Sequence, residues 1–250
     1  MVNSKKIVLV TGGASGIGAA VAVAFAKSGA EVILSEHVTS CRETLDAIHA
    51  LGGTGKVIKA DVSKGRDVNE LVERIISEYG RLDVLFANAG IVKLKLVKDM
   101  SDEEWDETIN MNVKSIFLCC RAALPCMIRQ GEGKIICVSS SLGGTQAYPG
   151  LAHYSAAKAG IEGFVKCLAL ELAHSGVTIN AIAPGPVRTR VQTKQVLDDL
   201  AKRVPFGRVA EPEDVASVAI FLASDNLKYM TGSVILLDGG LSLEERTTCE

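Results

Sequence analysis

The stretch Lys6–Gly18 reads KIVLVTGGASGIG, a short apolar run that leads directly into a glycine-rich turn. The run predicts a buried strand, and the Ala-rich segment Gly16–Lys27 predicts a helix immediately after the turn. Such a turn lets the backbone approach a pyrophosphate, because the first N–H groups of the helix are unpaired and lie at the positive end of its dipole. The spacing Gly12-x3-Gly16-x-Gly18 differs from the common GxGxxG pattern, so the turn alone is equally consistent with a simple strand-to-helix connection.

The remaining sequence alternates strand-like and helical stretches. Strands are predicted at Lys6–Val10, Glu31–Leu34, Lys56–Ala60, Leu82–Ala87, Lys134–Ser139, Val177–Ala183 and Ser233–Leu237. Helices are predicted at Gly16–Lys27, Cys41–Leu51, Asp67–Glu78, Ala152–His174 and Pro212–Ala223, and over Ser101–Gln130 in two pieces that begin at a Ser101–Glu104 capping box. This alternation favours a parallel α/β sheet covered by helices on both faces, and no repeat or linker divides the chain.

One polar segment, Arg188–Ala210, interrupts the alternation between the sixth strand and the last helix. Ligands bind beyond the carboxyl ends of the strands in sheets of this kind, and the segment follows such an end. It is therefore a candidate substrate lid. A solvated surface excursion is the alternative, and the position alone does not decide between them.

Composition and charge exclude several classes of function. The chain has 250 residues, a net charge of −2 and only 4% aromatic residues, so neither a phosphate-binding stripe nor a base-stacking platform for nucleic acid is expected. The apolar run Ile7–Val10 is too short for a signal-peptide core, and no apolar stretch has the length of a membrane span. The 7 cysteines form no CxxC pair and no metal-ligand spacing, which predicts reduced core thiols, no metal and a cytoplasmic location.

Glu36 stands at the end of the second predicted strand. A carboxylate there can accept hydrogen bonds from the ribose hydroxyls of an adenosine, and it would repel a 2′-phosphate. The neighbouring positions are Gly13, Ser35 and His37, so no Arg or Lys stands there to offset that repulsion. The sequence therefore favours NAD over NADP as cofactor, with an exposed loop glutamate as the alternative interpretation.

An ordered set of motifs resembles the short-chain dehydrogenase/reductase family over essentially the whole chain. The motifs are TGGASGIG, Asn88-Ala89-Gly90, Asn112 in MNVKS, the serine run before SLGG, Tyr154-x3-Lys158 and Pro184-Gly185. The resemblance implies a single doubly wound Rossmann-type domain over residues 1–250, with a seven-stranded parallel sheet. It also implies a homo-oligomer, with a tetramer formed through the helical stretches Ser101–Gln130 and Ala152–His174 as the expected state.

The resemblance further implies the residues that contact the cofactor. Asp61 would bind the adenine amino group, Pro184–Val187 would cover the nicotinamide, and Thr189 would reach its carboxamide or a phosphate. The full implied set is Gly12, Ser15, Gly16, Ile17, Gly18, Glu36, Asp61, Val62, Asn88, Ala89, Gly90, Tyr154, Lys158, Pro184, Gly185, Val187 and Thr189.

The chemistry of hydride transfer to a carbonyl needs a proton donor at its oxygen. Tyr154 is the candidate acid/base, and Lys158 one helical turn later is expected to lower the pKa of the phenol and to hold the nicotinamide ribose. Family spacing, 13 residues before Tyr154, selects Ser141 as the hydroxyl that polarises the substrate oxygen. Asn112 would hold a water in a proton relay. Taken singly, each motif also fits a packed tyrosine, a helix bend or a plain turn.

The substrate is expected between the lid and the loop that carries Ser141, Gly143, Gln146 and Tyr148, with Tyr154 behind it. The chain also resembles the family's 3-oxoacyl-carrier-protein reductases, but those typically use NADPH and have an arginine where this chain has Leu170. The sequence-based prediction is therefore an NAD-dependent dehydrogenase that interconverts a small secondary alcohol and a ketone. A 3-oxoacyl reductase is the alternative, and a cofactor-binding regulator without catalysis is a third hypothesis.

Overall fold

The computed structural model describes residues 5–189 and 193–243, and within them seven strands form one parallel sheet. The strands are β1 (Ile7–Thr11), β2 (Glu31–Glu36), β3 (Thr54–Lys59), β4 (Val84–Ala87), β5 (Gly133–Val138), β6 (Val177–Pro184) and β7 (Val234–Leu237). Their order across the sheet is β3-β2-β1-β4-β5-β6-β7. The predicted seven-stranded Rossmann-type sheet is confirmed.

The helices cover both faces of this sheet. They are α1 (Gly16–Lys27), α2 (Arg42–Ala50), α3 (Gly65–Tyr79), α4 (Asp102–Ile109), α5 (Ser115–Gln130), α6 (Ala152–Glu171), α7 (Lys194–Ala201) and α8 (Pro212–Leu222). One apolar core joins the sheet to α3, α5 and α6, and a second joins the opposite face to α1, α2 and α8. The strands are apolar throughout because both of their faces are buried.

The strand order reverses at β1, which lies between β2 and β4. The connections after β1 and β4 therefore lead to opposite sides and leave a crevice at the carboxyl ends of these strands. This crevice receives the glycine-rich turn, the Asn88–Gly90 segment and the end of β2. The sheet thus gathers at one edge the residues that the sequence analysis selected.

The helical stretch between β4 and β5 begins as predicted. The Ser101 hydroxyl accepts from Glu104 N, and the Glu104 carboxylate accepts from Ser101 N. The two predicted pieces are α4 and α5, joined without a break by a π-helical turn at Asn110–Lys114. By length and composition alone, Asp102–Gln130 could cross a membrane, but half of its most apolar window is buried inside the protein, as in a core helix.

The polar segment after β6 is more ordered than the sequence indicated. It contains α7, which begins at an N-cap where the Thr193 hydroxyl accepts from Val196 N. Leu197 of this helix is buried, so α7 packs onto the protein. A bridge between Val187 and Ala210 closes the base of the segment. Residues 190–192 of the candidate lid lie outside the described residues.

Candidate active site

The turn between β1 and α1 has a backbone conformation that lets another group approach the chain closely. Gly12 has a φ of +66° and Gly16 a φ of +54°, conformations that residues with a Cβ rarely adopt. A Cβ on Gly18 would lie 2.0 Å from the carbonyl oxygen of Gly12, so only glycine fits there. Ser15 is the N-cap of α1 and makes no side-chain cap bond, and Ile17 follows it within the first turn. The first N–H groups of α1 therefore face the crevice, where they can bind an anion.

Asn88 connects the end of β4 to this turn. Its side-chain amide donates to the carbonyl oxygens of Thr11 (3.1 Å) and Gly12 (3.2 Å). The Thr11 hydroxyl accepts from the backbone N–H groups of Asn88 and Ala89 at 3.0 and 3.2 Å. These bonds fix the turn at the middle of the sheet.

A cleft of about 420 Å³ opens beside the turn. It is lined by Gly12, Ser35, Glu36, His37, Val38, Ala60, Asp61, Val62, Ser63, Ala89, Ile91, Glu107, Asn110 and Met111. The Ser35 hydroxyl is buried and has no hydrogen-bond partner among the described residues. Glu36 lies at the rim, where its Oε1 accepts from His37 N at 2.8 Å. The cleft brings together the predicted adenosine contacts Glu36, Asp61 and Val62.

Asp61 is held within its own loop. Its Oδ1 accepts from the Ser63 hydroxyl at 2.6 Å, and its Oδ2 lies 3.1 Å from Lys64 Nζ. Partial burial opposes ionisation, but the hydrogen bonds from Ser63 and Lys64 outweigh it and lower the pKa of Asp61. The carboxylate is therefore an ionised hydrogen-bond acceptor at neutral pH, with a fixed position in the cleft.

The segment after β6 approaches the turn from the other side. The chain after Pro184 packs closely, because a Cβ on Gly185 would lie 2.9 Å from Asp238 Cα. Gly185 N also donates to Leu237 O at 2.9 Å. Thr189 reaches the glycine-rich turn, since its Cγ2 would lie 3.3 Å from a Cβ on Gly16. Thr189 and Gly16 are therefore neighbours in the crevice, and their contact with one ligand stays a prediction.

Tyr154 and Lys158 lie on one face of α6 below the crevice. Lys158 is buried, its Nζ donates to Val138 O at 2.7 Å, and it lies 5.5 Å from the centre of the Tyr154 ring. Burial lowers the pKa of Lys158 from 10.5 to about 8. The Lys158 ammonium therefore lies next to both the Tyr154 ring and the end of β5.

The pKa of Tyr154 is raised, because burial disfavours the phenolate. A hydrogen bond with Ser140 acts in the opposite direction but does not offset the burial. The Lys158 ammonium lies over the face of this ring and donates to a carbonyl oxygen. The expectation that its positive charge lowers the pKa of the phenol stays a prediction.

The serines at the end of β5 have different partners. The Ser140 side chain forms a hydrogen bond with Tyr154. Ser141 Oγ donates to Gln146 Oε1 at 2.9 Å, and the Ser141 carbonyl accepts from the backbone N–H groups of Thr145 and Gln146. Ser141 therefore stabilises its own loop, within a 3₁₀ turn at Ser141–Gly143. The choice of Ser141 as the hydroxyl that polarises the substrate oxygen stays a prediction.

Asn112 lies in the π-helical turn and is buried. Its Nδ2 donates to the carbonyl oxygens of Ile91 and Thr108, both at 2.9 Å. Its Oδ1 is buried without a hydrogen-bond partner among the described residues, and it would lie 2.5 Å from a Cβ on Gly90. An amide oxygen in this state is an acceptor that is available to a water or a ligand proton.

Glu162, which the sequence analysis did not select, supports the substrate loop. Its Oε1 accepts from the Ser139 hydroxyl at 3.0 Å and would lie 2.7 Å from a Cβ on Gly143. Ser139 also donates to Lys158 O at 3.1 Å. Glu162 lies one helical turn after Lys158, and this i,i+4 spacing puts both residues on one face of α6. That spacing is the sequence signal that could have identified Glu162. Of the remaining predicted substrate contacts, Gln146 is bound to Ser141 and Tyr148 is exposed.

Comparison with known proteins gives relatives that match almost the whole chain. Residues 12–242 match a family model described as enoyl-(acyl carrier protein) reductase. The 3-oxoacyl-[acyl-carrier-protein] reductase FabG of Thermotoga maritima is 42% identical over 243 residues, or 94% of this chain and 97% of that protein. Oxidoreductase UcpA of Salmonella typhimurium is 38% identical over 251 residues, or 96% of this chain and 95% of that protein.

Solved structures agree with the sequence relatives. A short-chain dehydrogenase/reductase from Serratia marcescens superposes with a TM-score of 0.90 at 30% identity, covering 95% of this chain and 98% of that one. The glycine-rich turn from Gly12 onward and the tyrosine–lysine pair on α6 lie within the residues that the family model matches. The chain belongs to the short-chain dehydrogenase/reductase family of nicotinamide-dependent oxidoreductases.

Proposed function

We propose that this protein interconverts a 3-oxoacyl thioester and a 3-hydroxyacyl thioester, with NAD(H) as the cofactor. The observation that carries the choice of substrate is the 42% identity, over nearly the full length of both chains, to a relative named 3-oxoacyl-[acyl-carrier-protein] reductase. The sequence alone favoured a small secondary alcohol, and the relatives shift that preference toward the thioester.

Two hydroxyls act on the reacting oxygen in this proposal. Tyr154 donates its proton to the substrate oxygen during reduction and takes it back during oxidation. The Ser141 hydroxyl stabilises the negative charge that develops on that oxygen, and the Ser140 hydroxyl, which is hydrogen-bonded to Tyr154, orients the phenol. The raised pKa of Tyr154 suits it to the role of proton donor in the reductive direction.

Lys158 and Asn112 connect this proton to solvent. Lys158 uses one N–H on Val138 O, which leaves its other protons for the nicotinamide ribose and for proton exchange. A lysine whose pKa is lowered to about 8 can lose and regain a proton near neutral pH. The unpartnered Oδ1 of Asn112 holds the water through which the proton is replaced.

The residues present fit a dinucleotide. The positive φ of Gly12 and Gly16 and the close packing at Gly18 set the tight turn that begins α1, and the buried, unpartnered Ser35 hydroxyl belongs to the cleft beside it. A bound nicotinamide cofactor supplies or accepts the hydride. Glu36 at the rim would accept hydrogen bonds from the ribose hydroxyls and would repel a 2′-phosphate, which supports NAD(H) over NADP(H). The other predicted contacts with the cofactor keep their roles as part of this proposal.

A dehydrogenase of small secondary alcohols is the second candidate function. Two observations favour it: Glu36 at the cofactor rim, and Leu170, which is 80% exposed at the position where the 3-oxoacyl reductases that this chain resembles have an arginine. Under either function we propose a cytoplasmic enzyme. We also propose a homotetramer as its assembly and the segment 188–210 as its lid.

The absorbance of the nicotinamide cofactor tests both functions. Purified protein is assayed with NADH or NADPH and a 3-oxoacyl thioester, and with NAD+ and a panel of secondary alcohols. We expect NADH-dependent reduction of the thioester, and we expect Tyr154→Phe to lose turnover by at least about 10²-fold. Oxidation of alcohols with an inert thioester would transfer the assignment to the second candidate. Unchanged turnover in Tyr154→Phe would remove the catalytic role of the tyrosine.

A further inference from the structure

An exposed apolar segment lies beside the active-site crevice. Residues 92–98, here named the mouth segment, read VKLKLVK between Ile91 and α4. Its apolar side chains are exposed to 47% (Val92), 68% (Leu94), 49% (Leu96) and 67% (Val97). Contiguous apolar surface of this kind in a soluble domain typically marks a site of binding.

The lysine side chains of the mouth segment form ion pairs with neighbouring carboxylates. Lys93 Nζ lies 2.6 Å from Glu107 Oε2, and Lys95 Nζ lies 3.3 Å from Glu104 Oε1, both on α4. Lys98 Nζ lies 3.6 Å from Asp99 Oδ2. Exposed ion pairs add little stability, but here they direct the ammonium groups toward acids and leave the leucine side chains as the free surface.

The mouth segment is attached to the active-site loops at both ends. Ile91 O accepts from Asn112 Nδ2 at 2.9 Å, next to the proposed proton relay. Lys95 N donates to Gly150 O at 2.8 Å, and Leu94 Cδ2 would lie 3.4 Å from a Cβ on Gly150. Gly150 ends the loop that leads from Ser140 into α6. The mouth segment therefore lies against both the helical turn that holds Asn112 and the loop that leads into the helix of Tyr154.

We propose that the mouth segment binds the apolar tail of an acyl thioester substrate and gives the enzyme a preference for longer acyl chains. The inference rests on the proposed thioester function, because only that class of substrate carries an extended hydrocarbon next to the reacting carbonyl. Each methylene that leaves water contributes to binding, so leucines at the mouth raise kcat/KM progressively with chain length. Exposed aromatic and aliphatic side chains on α5 and α6, such as Phe117 and Leu170, form a separate surface on which self-association is expected.

The test compares two chain lengths in one enzyme. The N-acetylcysteamine thioesters of 3-oxobutanoate and 3-oxodecanoate are assayed with NADH in the parent protein, in Leu94→Ser/Leu96→Ser and in Leu51→Ser. Leu51 follows α2 in the cofactor half and is exposed to 52%, so it controls for the loss of an exposed leucine. We expect the ratio of kcat/KM for the long over the short thioester to fall about tenfold in the double variant, and to stay at the parent value in Leu51→Ser.

The outcomes separate this inference from the proposed function. Turnover of both thioesters with an unchanged ratio in the double variant would overturn the role of the mouth segment and leave the function intact. No turnover of either thioester by the parent protein would instead overturn the function. A decrease in molar mass of the double variant would assign the mouth segment to a contact between copies, which also contradicts the proposal. Melting curves of all three proteins verify folding, and Leu94→Ser alone repeats the test if the double variant is unfolded.

Discussion

At the scale of single residues, Lys158 shows how function and stability oppose each other in this protein. Its ammonium is buried beneath the crevice with a single hydrogen bond, to Val138 O. Removing a charge from water is costly, which is why burial lowers the pKa of Lys158 to about 8. A lysine at this position therefore destabilises the folded chain in return for a mobile proton beside Tyr154.

Lys158→Met is expected to remove activity and to stabilise the protein near pH 7. The pKa decrease from 10.5 to about 8 corresponds to roughly 3 kcal/mol of destabilisation while the group is charged. The lost hydrogen bond to Val138 O offsets about 1 kcal/mol of the gain, so a net increase of about 2 kcal/mol in the free energy of unfolding is expected. Urea unfolding of the parent and the variant measures it.

The difference in stability between the parent and Lys158→Met depends on pH. Between about pH 8 and 10.5 the unfolded chain still holds the lysine proton that the native state has released, so the stability of the parent rises with pH. The variant lacks this rise, and its advantage shrinks toward pH 10.5. Lys166→Met, at an exposed lysine two turns later on α6, is the control and should show no such convergence. A variant that is less stable than the parent at pH 7 would contradict the argument.

At the scale of elements, the connection from β5 to α6 decides which serine meets Tyr154. The end of β5 is fixed by its register with β4 and β6, and that register positions Ser140. The loop that follows begins with the 3₁₀ turn at Ser141–Gly143. Sequence spacing therefore identifies this loop, and its choice of Ser141 as the hydroxyl at the substrate oxygen stays a prediction.

Alanine variants of the two serines distinguish their roles. Ser141→Ala is expected to lower kcat by about 10²- to 10³-fold, because it removes the hydroxyl proposed to polarise the substrate oxygen. Ser140→Ala is the matched comparison: it should lower kcat less than about tenfold and cost about 1 kcal/mol of stability, since the bond from Leu142 N is lost. Steady-state kinetics and thermal melts measure both. The opposite order of kcat values would transfer the role to Ser140.

Other elements were predicted with different accuracy for physical reasons. The helix Gly16–Lys27 was predicted with its observed bounds, because a glycine-rich turn sets its start and the following loop sets its end. The π-helical turn at Asn110–Lys114 could not be predicted, since it depends on the tertiary bonds from Asn112 to Ile91 and Thr108. Helix α7 was missed because only Leu197 anchors its short apolar face.

At the scale of the whole molecule, the sheet and its two layers follow from the sequence, whereas the assembly does not. The alternation of apolar strands and amphipathic helices specifies the layers. This alternation does not specify what covers the outer face of α5 and α6. Phe117 is 40% exposed there and packs edge-on against Phe164, with ring centres 6.4 Å apart. A solvent-exposed aromatic pair of this kind favours burial against another copy.

The proposed tetramer is expected to depend on this pair of aromatic rings. Phe117→Glu introduces a charge that would lose its water in a contact through α5 and α6, even with Arg121 one turn away, and it removes the apolar ring from that contact, which should dissociate the tetramer to dimers or monomers. Leu51→Glu introduces the same charge at an exposed leucine far from these helices and should leave the mass unchanged. Sedimentation velocity of the three proteins at equal concentration reads out the assembly. A parent protein that sediments as a monomer, or a Phe117→Glu variant that keeps the parent mass, would show that α5 and α6 do not form the contact.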